Sequence, residues 1–221
     1  MSMKTHLTLY HGSPEIISEP KYGLGNLYND YGRGFYCTEF PELAKEWACR
    51  DNEAGFANQY ELDTSSLSVL HLNKEYSVLN WLAVLVENRP VTLEDGASKV
   101  AADFLREYYS IDVSGYDLIV GYRVDDRYYN IVRRFFNNNI TLETLTEAMA
   151  LGKLGEQIVL KSEKSFECIT YLDSQDADPL IYFPLYEKRM ADANRKLDLI
   201  LQSRSPLDGK YIIDIIREEK R

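Results

Sequence analysis

Short β-forming runs recur through the first 172 residues, but no regular alternation of strand and helix joins them. The runs are His6 to Tyr10, Phe35 to Thr38, Phe56 to Leu62, Ser68 to Leu72, Tyr116 to Tyr122, Glu156 to Lys161 and a last one around Cys168 to Leu172. Tyr116 to Tyr122 (YDLIVGY) is largely apolar and reads as a buried strand. Between these runs the spacing predicts helices. One starts at Glu39 and Pro41, with Leu43, Ala44, Trp47 and Ala48 as its apolar stripe. Others cover 77–88, 96–109 and roughly 127–137, the last capped by Asp125 or Asp126. Thr141 caps a further one. A doubly wound sheet needs βαβα regularity, which is absent here. The expectation is therefore α+β: split, antiparallel-rich sheets with inserted helices. The strand-bearing part spans residues 1–175. Residues 176–221 form a helical C-terminal extension expected to pack on the same domain. Within it, Pro179 to Pro184 interrupts the pattern and Leu185 to Leu201 reads as a long helix. The closing YIIDIIREEKR needs burial, but its periodicity does not separate strand from helix.

Charge and cysteine usage narrow the function. Net charge is −10, whereas tracking a phosphate backbone takes clustered Lys and Arg. Broad, non-specific nucleic-acid binding is disfavoured. One local basic cluster (Arg123, Arg127, Arg133 and Arg134) leaves room for an anionic ligand or a nucleic-acid acceptor. The three cysteines are widely spaced with no CxxC, and the three histidines form no ligand pattern, so no metal is expected. The most apolar stretch, near Val78 to Val86, is too short to span a bilayer, and the N-terminus lacks a secretory apolar region. These features lead us to expect a reduced, cytoplasmic protein without membrane contact. No GxGxxG follows a strand and there is no P-loop, which disfavours the common nucleotide folds.

Three segments carry candidate chemistry. In Leu9-Tyr10-His11-Gly12-Ser13, an imidazole is followed by a glycine that lets a ligand approach the backbone. In Asp30-Tyr31-Gly32-Arg33-Gly34-Phe35-Tyr36-Cys37-Thr38, two glycines flank an Arg before an aromatic strand that offers stacking surface. In Gly155-Glu156-Gln157-Ile158-Val159-Leu160, a polar side chain on a short strand can bond a sugar hydroxyl. Each segment alone also fits an ordinary turn, hairpin or edge strand.

In this order, LYHGS, GFYCT leading into a helix with Trp-Ala, YDLIVGYRVDDR and EQIVLK resemble a bacterial family placed among the ADP-ribosyltransferase-like folds and catalogued mainly as a domain of unknown function. The resemblance is closest to the His-Tyr-Glu/Gln branch, which also contains the poly-ADP-ribose polymerases. It covers roughly residues 6–172. It implies that His11 bonds the adenosine-side ribose of NAD and that the Gly12 backbone holds the nicotinamide carboxamide. Tyr36 would stack on the nicotinamide, and Gln157 would take the place of the catalytic glutamate. Ser13, Tyr31, Gly34, Asp126 and Arg127 complete the expected NAD-binding set. The expected activity is NAD-dependent mono-ADP-ribosyl transfer to a protein or nucleic-acid acceptor. The resemblance also implies a toxin-like role, beside a small neutralising antitoxin. NAD hydrolysis and non-catalytic NAD or ADP-ribose binding are the other readings.

The chemistry makes a specific demand. Breaking the nicotinamide–ribose bond creates an oxocarbenium-like centre, which a carboxylate stabilises. Gln157 does not ionise. Transfer would need a naturally good nucleophile or a base supplied elsewhere: Glu156, if a bulge re-aims it, or Glu163, if the strand continues that far.

Overall fold

The computed structural model describes residues 5–89, 96–124, 128–151, 156–203 and 208–220. Asp125, Asp126, Arg127, Gly152 and Gly155 lie outside them. Two sheets form the framework. The first has the order β1–β3–β7, from β1 (His6–Ser13), β3 (Gly55–Asp63) and β7 (Ile169–Ala177), all antiparallel. The second has the order β2–β6–β5–β4, from β2 (Phe35–Cys37), β6 (Glu156–Leu160), β5 (Leu118–Tyr122) and β4 (Val69–His71). Among the described strands, only β4 and β5 run parallel. The fold is α+β with two antiparallel-rich sheets and inserted helices. The helices are α1 (Pro41–Ala48), α2 (Leu72–Glu75), α3 (Val78–Asn88), α4 (Gly96–Tyr108), α5 (Tyr128–Phe136), α6 (Leu142–Leu151), α7 (Glu163–Glu167), α8 (Pro179–Ser203) and α9 (Ile212–Glu219).

Among the described residues, one β-bridge joins the sheets. Tyr10 and Thr38 exchange two backbone hydrogen bonds of 2.7 and 2.9 Å. Leu9, Leu62, Cys37, Ile158 and Leu160 fill the space between the two sheets. The opposite face of the second sheet carries Ile119 and Val159 into a larger core with α3, α4 and α5. Trp81, Leu82, Leu85, Phe104 and Phe135 anchor that core. No helix among the described residues is long and apolar enough to cross a membrane.

Local signals account for most helix starts. Ser77 and Asn80 cap α3 reciprocally, and the Thr144 N–H donates to Thr141 Oγ1 at the start of α6. Three boundaries differ from expectation. β1 runs through His11 and Gly12 to Ser13, because β3 pairs with it as far as Phe56 opposite Ser13. The break therefore falls at Pro14, not at the His-Gly pair. β7 extends to Ala177 for the same reason, since β3 offers partners as far as Gly55. The third difference is α8, which starts at Pro179. Asp178 Oδ1 accepts from the Leu180 N–H at 2.9 Å, and Pro179 occupies the first turn, where its missing donor costs nothing. Pro184 lies inside the helix, giving up one bond.

The extension packs against the rest of the chain. In α9, Ile212, Ile215 and Ile216 are buried in the main core together with Met190 and Leu197 of α8, at helical spacing. Arg189 of α8 clamps Glu46 of α1 through two bonds of 2.7 and 2.6 Å, and the Glu46 side chain is only 4% exposed. Removing the cation alone strands a buried carboxylate. Arg189→Met is expected to cost about 3 kcal/mol in urea unfolding. The double variant Arg189→Met with Glu46→Gln should recover most of that loss.

Candidate functional site

The site lies where the two sheets part. At Tyr10 and Thr38 the strands are paired. Two residues along, Tyr36 is opposite Val159 of β6, and its carbonyl accepts from His11 Nδ1 at 2.7 Å. The His11 ring stacks on Phe35, with centroids 4.3 Å apart. The imidazole therefore acts as a wedge between β1 and β2. By strand alternation, the N–H and C=O of Gly12 point the same way as those of Tyr10, toward this split.

Register decides which side chains share a face. Tyr10 and Gly12 of β1 continue onto Thr38 and Tyr36 of β2, then Gln157 and Val159 of β6, then Gly121 of β5. His11 and Phe35 lie on the other face with Ile158 and Leu160. The structure thus gathers Gly12, Tyr36 and Gln157 on one face. His11 reaches them through the Tyr36 backbone.

Gln157 is 3% exposed. Its Nε2 donates to Asp30 Oδ2 and to the Tyr122 carbonyl, both at 3.0 Å. Asp30 is 6% exposed, and it also accepts from the Val124 N–H at 2.9 Å and from Arg89 Nη1 at 3.2 Å. Burial raises the Asp30 carboxyl above its usual range, and the Val124 and Gln157 bonds and the Arg89 and Arg123 charges offset this only in part. The Tyr36 hydroxyl donates to the Gly32 carbonyl at 2.6 Å and accepts from the Tyr31 N–H at 3.1 Å. Burial pushes this phenol up, so it remains protonated.

Several expected contact residues have internal partners. The Tyr31 ring is fully buried and its hydroxyl donates to the Tyr122 carbonyl at 2.7 Å and accepts from Trp81 Nε1 at 3.1 Å. A Cβ on Gly121 would come within 2.2 Å of that hydroxyl, so glycine there makes room for Tyr31. Ser13 Oγ accepts from the Glu15 N–H and closes a turn. Gly34 allows close approach to β6, since a Cβ there would meet Val159 at 2.6 Å. Asp126 and Arg127 are outside the described residues.

Neither carboxylate considered from sequence shares the Gln157 face. No register shift interrupts the β5–β6 pairing, so Glu156 lies on the opposite face, where its Oε1 accepts from Asn73 Nδ2 at 3.4 Å. β6 ends at Leu160, and Glu163 belongs to the first turn of α7. The carboxylate beside Gln157 is Asp30, which belongs to a quoted motif but had no expected role. Its contact to Gln157 spans 127 residues, beyond the reach of any local pattern.

Trp47 is a second unanticipated residue. A Cβ on Gly12 would meet the Ala44 carbonyl at 2.1 Å and the Trp47 Cβ at 2.9 Å, so Gly12 brings α1 down onto β1. The Arg123 guanidinium lies over the Trp47 ring, 3.8 Å from its centroid. Trp47 Nε1 is buried and has no hydrogen-bond partner among the described residues. The helix stripe in the sequence marks Trp47 only as core. A separate cavity of about 470 Å³ at the other end of β6 is lined by Tyr22, Tyr116, Asn88 and Lys161, among others. Tyr31 reaches it, while His11, Tyr36 and Gln157 do not line it.

Fold and site together define an α+β protein with a polar cluster at the parting of two sheets. Residues 7–171 match the model of DUF3990, described as a protein family of unknown function, and the chain belongs to that family. No curated protein matches the chain. No solved structure matches it either.

Burial lowers the His11 pKa from 6.5, and the Tyr36 carbonyl opposes this only in part. Nδ1 carries the proton donated to that carbonyl, which leaves Nε2 as an acceptor near neutrality. Because the folded pKa is depressed, the stability tied to neutral His11 is complete above about pH 6.5 and is lost as pH falls through the folded pKa. The melting temperature of wild type should therefore drop more between pH 7 and pH 5 than that of His11→Gln, which keeps an N–H donor but does not titrate. Equal drops would mean that folding does not lower the pKa of His11.

Proposed function

We propose that this protein is a NAD-dependent mono-ADP-ribosyltransferase acting on a macromolecular acceptor. The observation that carries the reading is the Gly12–Trp47 corner. An indole face that accepts a planar cation, and a buried indole N–H without a partner among the described residues, lie beside a strand edge at the split. Nicotinamide in NAD is a planar cation bearing a carboxamide. Its ring would take the Trp47 face that the Arg123 guanidinium covers, in place of the Tyr36 stack that the resemblance implies, and its carboxamide would pair with the backbone of Gly12. Arg123 would then turn to the pyrophosphate.

Tyr36 and Gln157 lie on the same face as Gly12. Gln157 would accept a hydrogen bond from a hydroxyl of the nicotinamide ribose, and His11 Nε2 one from the adenosine-side ribose. In the reaction the glycosidic C–N bond breaks and its electron pair leaves on neutral nicotinamide. The anomeric carbon takes a nucleophile of the acceptor, which releases its proton to solvent. Positioning and exclusion of water supply the rate, because the amide of Gln157 transfers no proton. With water as acceptor, the same site would be a glycohydrolase. The toxin role and its antitoxin partner rest on the resemblance alone.

The test is nicotinamide release from NAD by the purified protein, with and without cell lysate. A transferase would release nicotinamide in step with labelling of a lysate macromolecule. Trp47→Ala should lower kcat/KM about 10- to 100-fold, the worth of one stacked ring. Release with free ADP-ribose as the only product would mark a hydrolase. Binding of NAD without release would leave a binding module.

A further inference from the structure

We propose that Asp30 is the positioning residue of this site: it holds the Gln157 amide with its nitrogen inward and its oxygen outward, and its presence is what makes residue 157 an amide and not a carboxylate. This rests on the NAD reading above. The orientation follows from the partners. Asp30 Oδ2 and the Tyr122 carbonyl are both acceptors, so the amide atom facing them at 3.0 Å must be the NH2 group. Oε1 is the other branch of the amide and takes part in neither of these two bonds. It is the atom left for a sugar hydroxyl.

A glutamate at this position would bring an oxygen to the same distance from two acceptors with no proton between them. Inside the protein such a contact is strongly repulsive unless one carboxyl is protonated. The carboxylate is itself held in place. Arg89, at the end of α3, bonds its other oxygen and the Val124 N–H bonds the shared one. Arg123 faces Asp30 from beyond β5, with the phenols of Tyr31, Tyr36 and Tyr129 around it. Asp30 therefore does not swing away to relieve a second negative charge. The arrangement also offers something chemical. A negative charge bonded to the amide N–H polarises the amide, so Oε1 carries more negative charge than an isolated glutamine. The site gains part of the electrostatic effect of a carboxylate, and no proton is transferred.

The test compares wild type, Gln157→Glu, Asp30→Asn and the double variant Asp30→Asn/Gln157→Glu. Melting temperatures are taken at pH 5.5 and pH 8, and NAD turnover at both. In Gln157→Glu one carboxyl of the pair has a raised folded pKa, so its stability is present at low pH and lost as pH rises. The variant should melt about 5 °C or more below wild type at pH 8 and close to it at pH 5.5. The double variant should recover most of the loss at pH 8, a coupling that independent positions would not show. In the Gln157 background, Asp30→Asn should reduce kcat for nicotinamide release about tenfold with little change in KM for NAD. A pH-independent deficit in Gln157→Glu, or additive single effects, would overturn the exclusion of a carboxylate. An unchanged kcat in Asp30→Asn would overturn the positioning role. If wild type neither binds nor cleaves NAD, the NAD reading fails, and the pH 8 coupling alone still decides whether Asp30 excludes a carboxylate at 157.

Discussion

At Tyr10 and Thr38 two backbone hydrogen bonds tie one sheet to the other, and one residue further along β1 His11 separates the strands they came from. β2 is the shared member: its three residues pair with β6, and the next residue pairs with β1. A strand this short has few ladder bonds of its own. Its position depends on the ring of His11 against Phe35, and on the Tyr36 hydroxyl held by the loop before it. The strand geometry of the candidate site follows from that crossing. It aligns Gly12, Tyr36 and Gln157 on one face and leaves the imidazole on the other.

The loop before β2 supplies the other constraint. It inserts Tyr31 beside Gly121 and Trp81, and that insertion carries Asp30 to Gln157. A buried carboxylate is costly unless its lone pairs are used. Here Val124, Gln157 and Arg89 use them, drawing β5, β6 and α3 to one point. Functional geometry and core packing are therefore inseparable in this loop.

Much of the framework was readable in the sequence, since periodicity and caps act over a few residues. The stripe of α1, the Thr141 cap and the apolar run that became β5 are of this kind. Boundaries set by a partner strand were not readable. β1 outruns its β-rich stretch because β3 continues beside it, whereas the start of α8 is set locally by Asp178 and Pro179. The final isoleucines show the limit most clearly. Ile212, Ile215 and Ile216 suit a helix and a strand alike until the core they face is known.

At the site, composition and order by themselves determined which residue types were on offer: an imidazole, a glycine, aromatic rings and an amide. Strand alternation alone also determined that Glu156 and Gln157 face opposite ways, because that rule is local. Tertiary structure decided what surrounds them. The Asp30–Gln157 contact joins positions 127 residues apart, and the Arg123–Trp47 stack joins the end of a strand to a helix from the other half of the fold. Electrostatic and stacking contacts depend on distance through space, and local sequence pattern does not encode it.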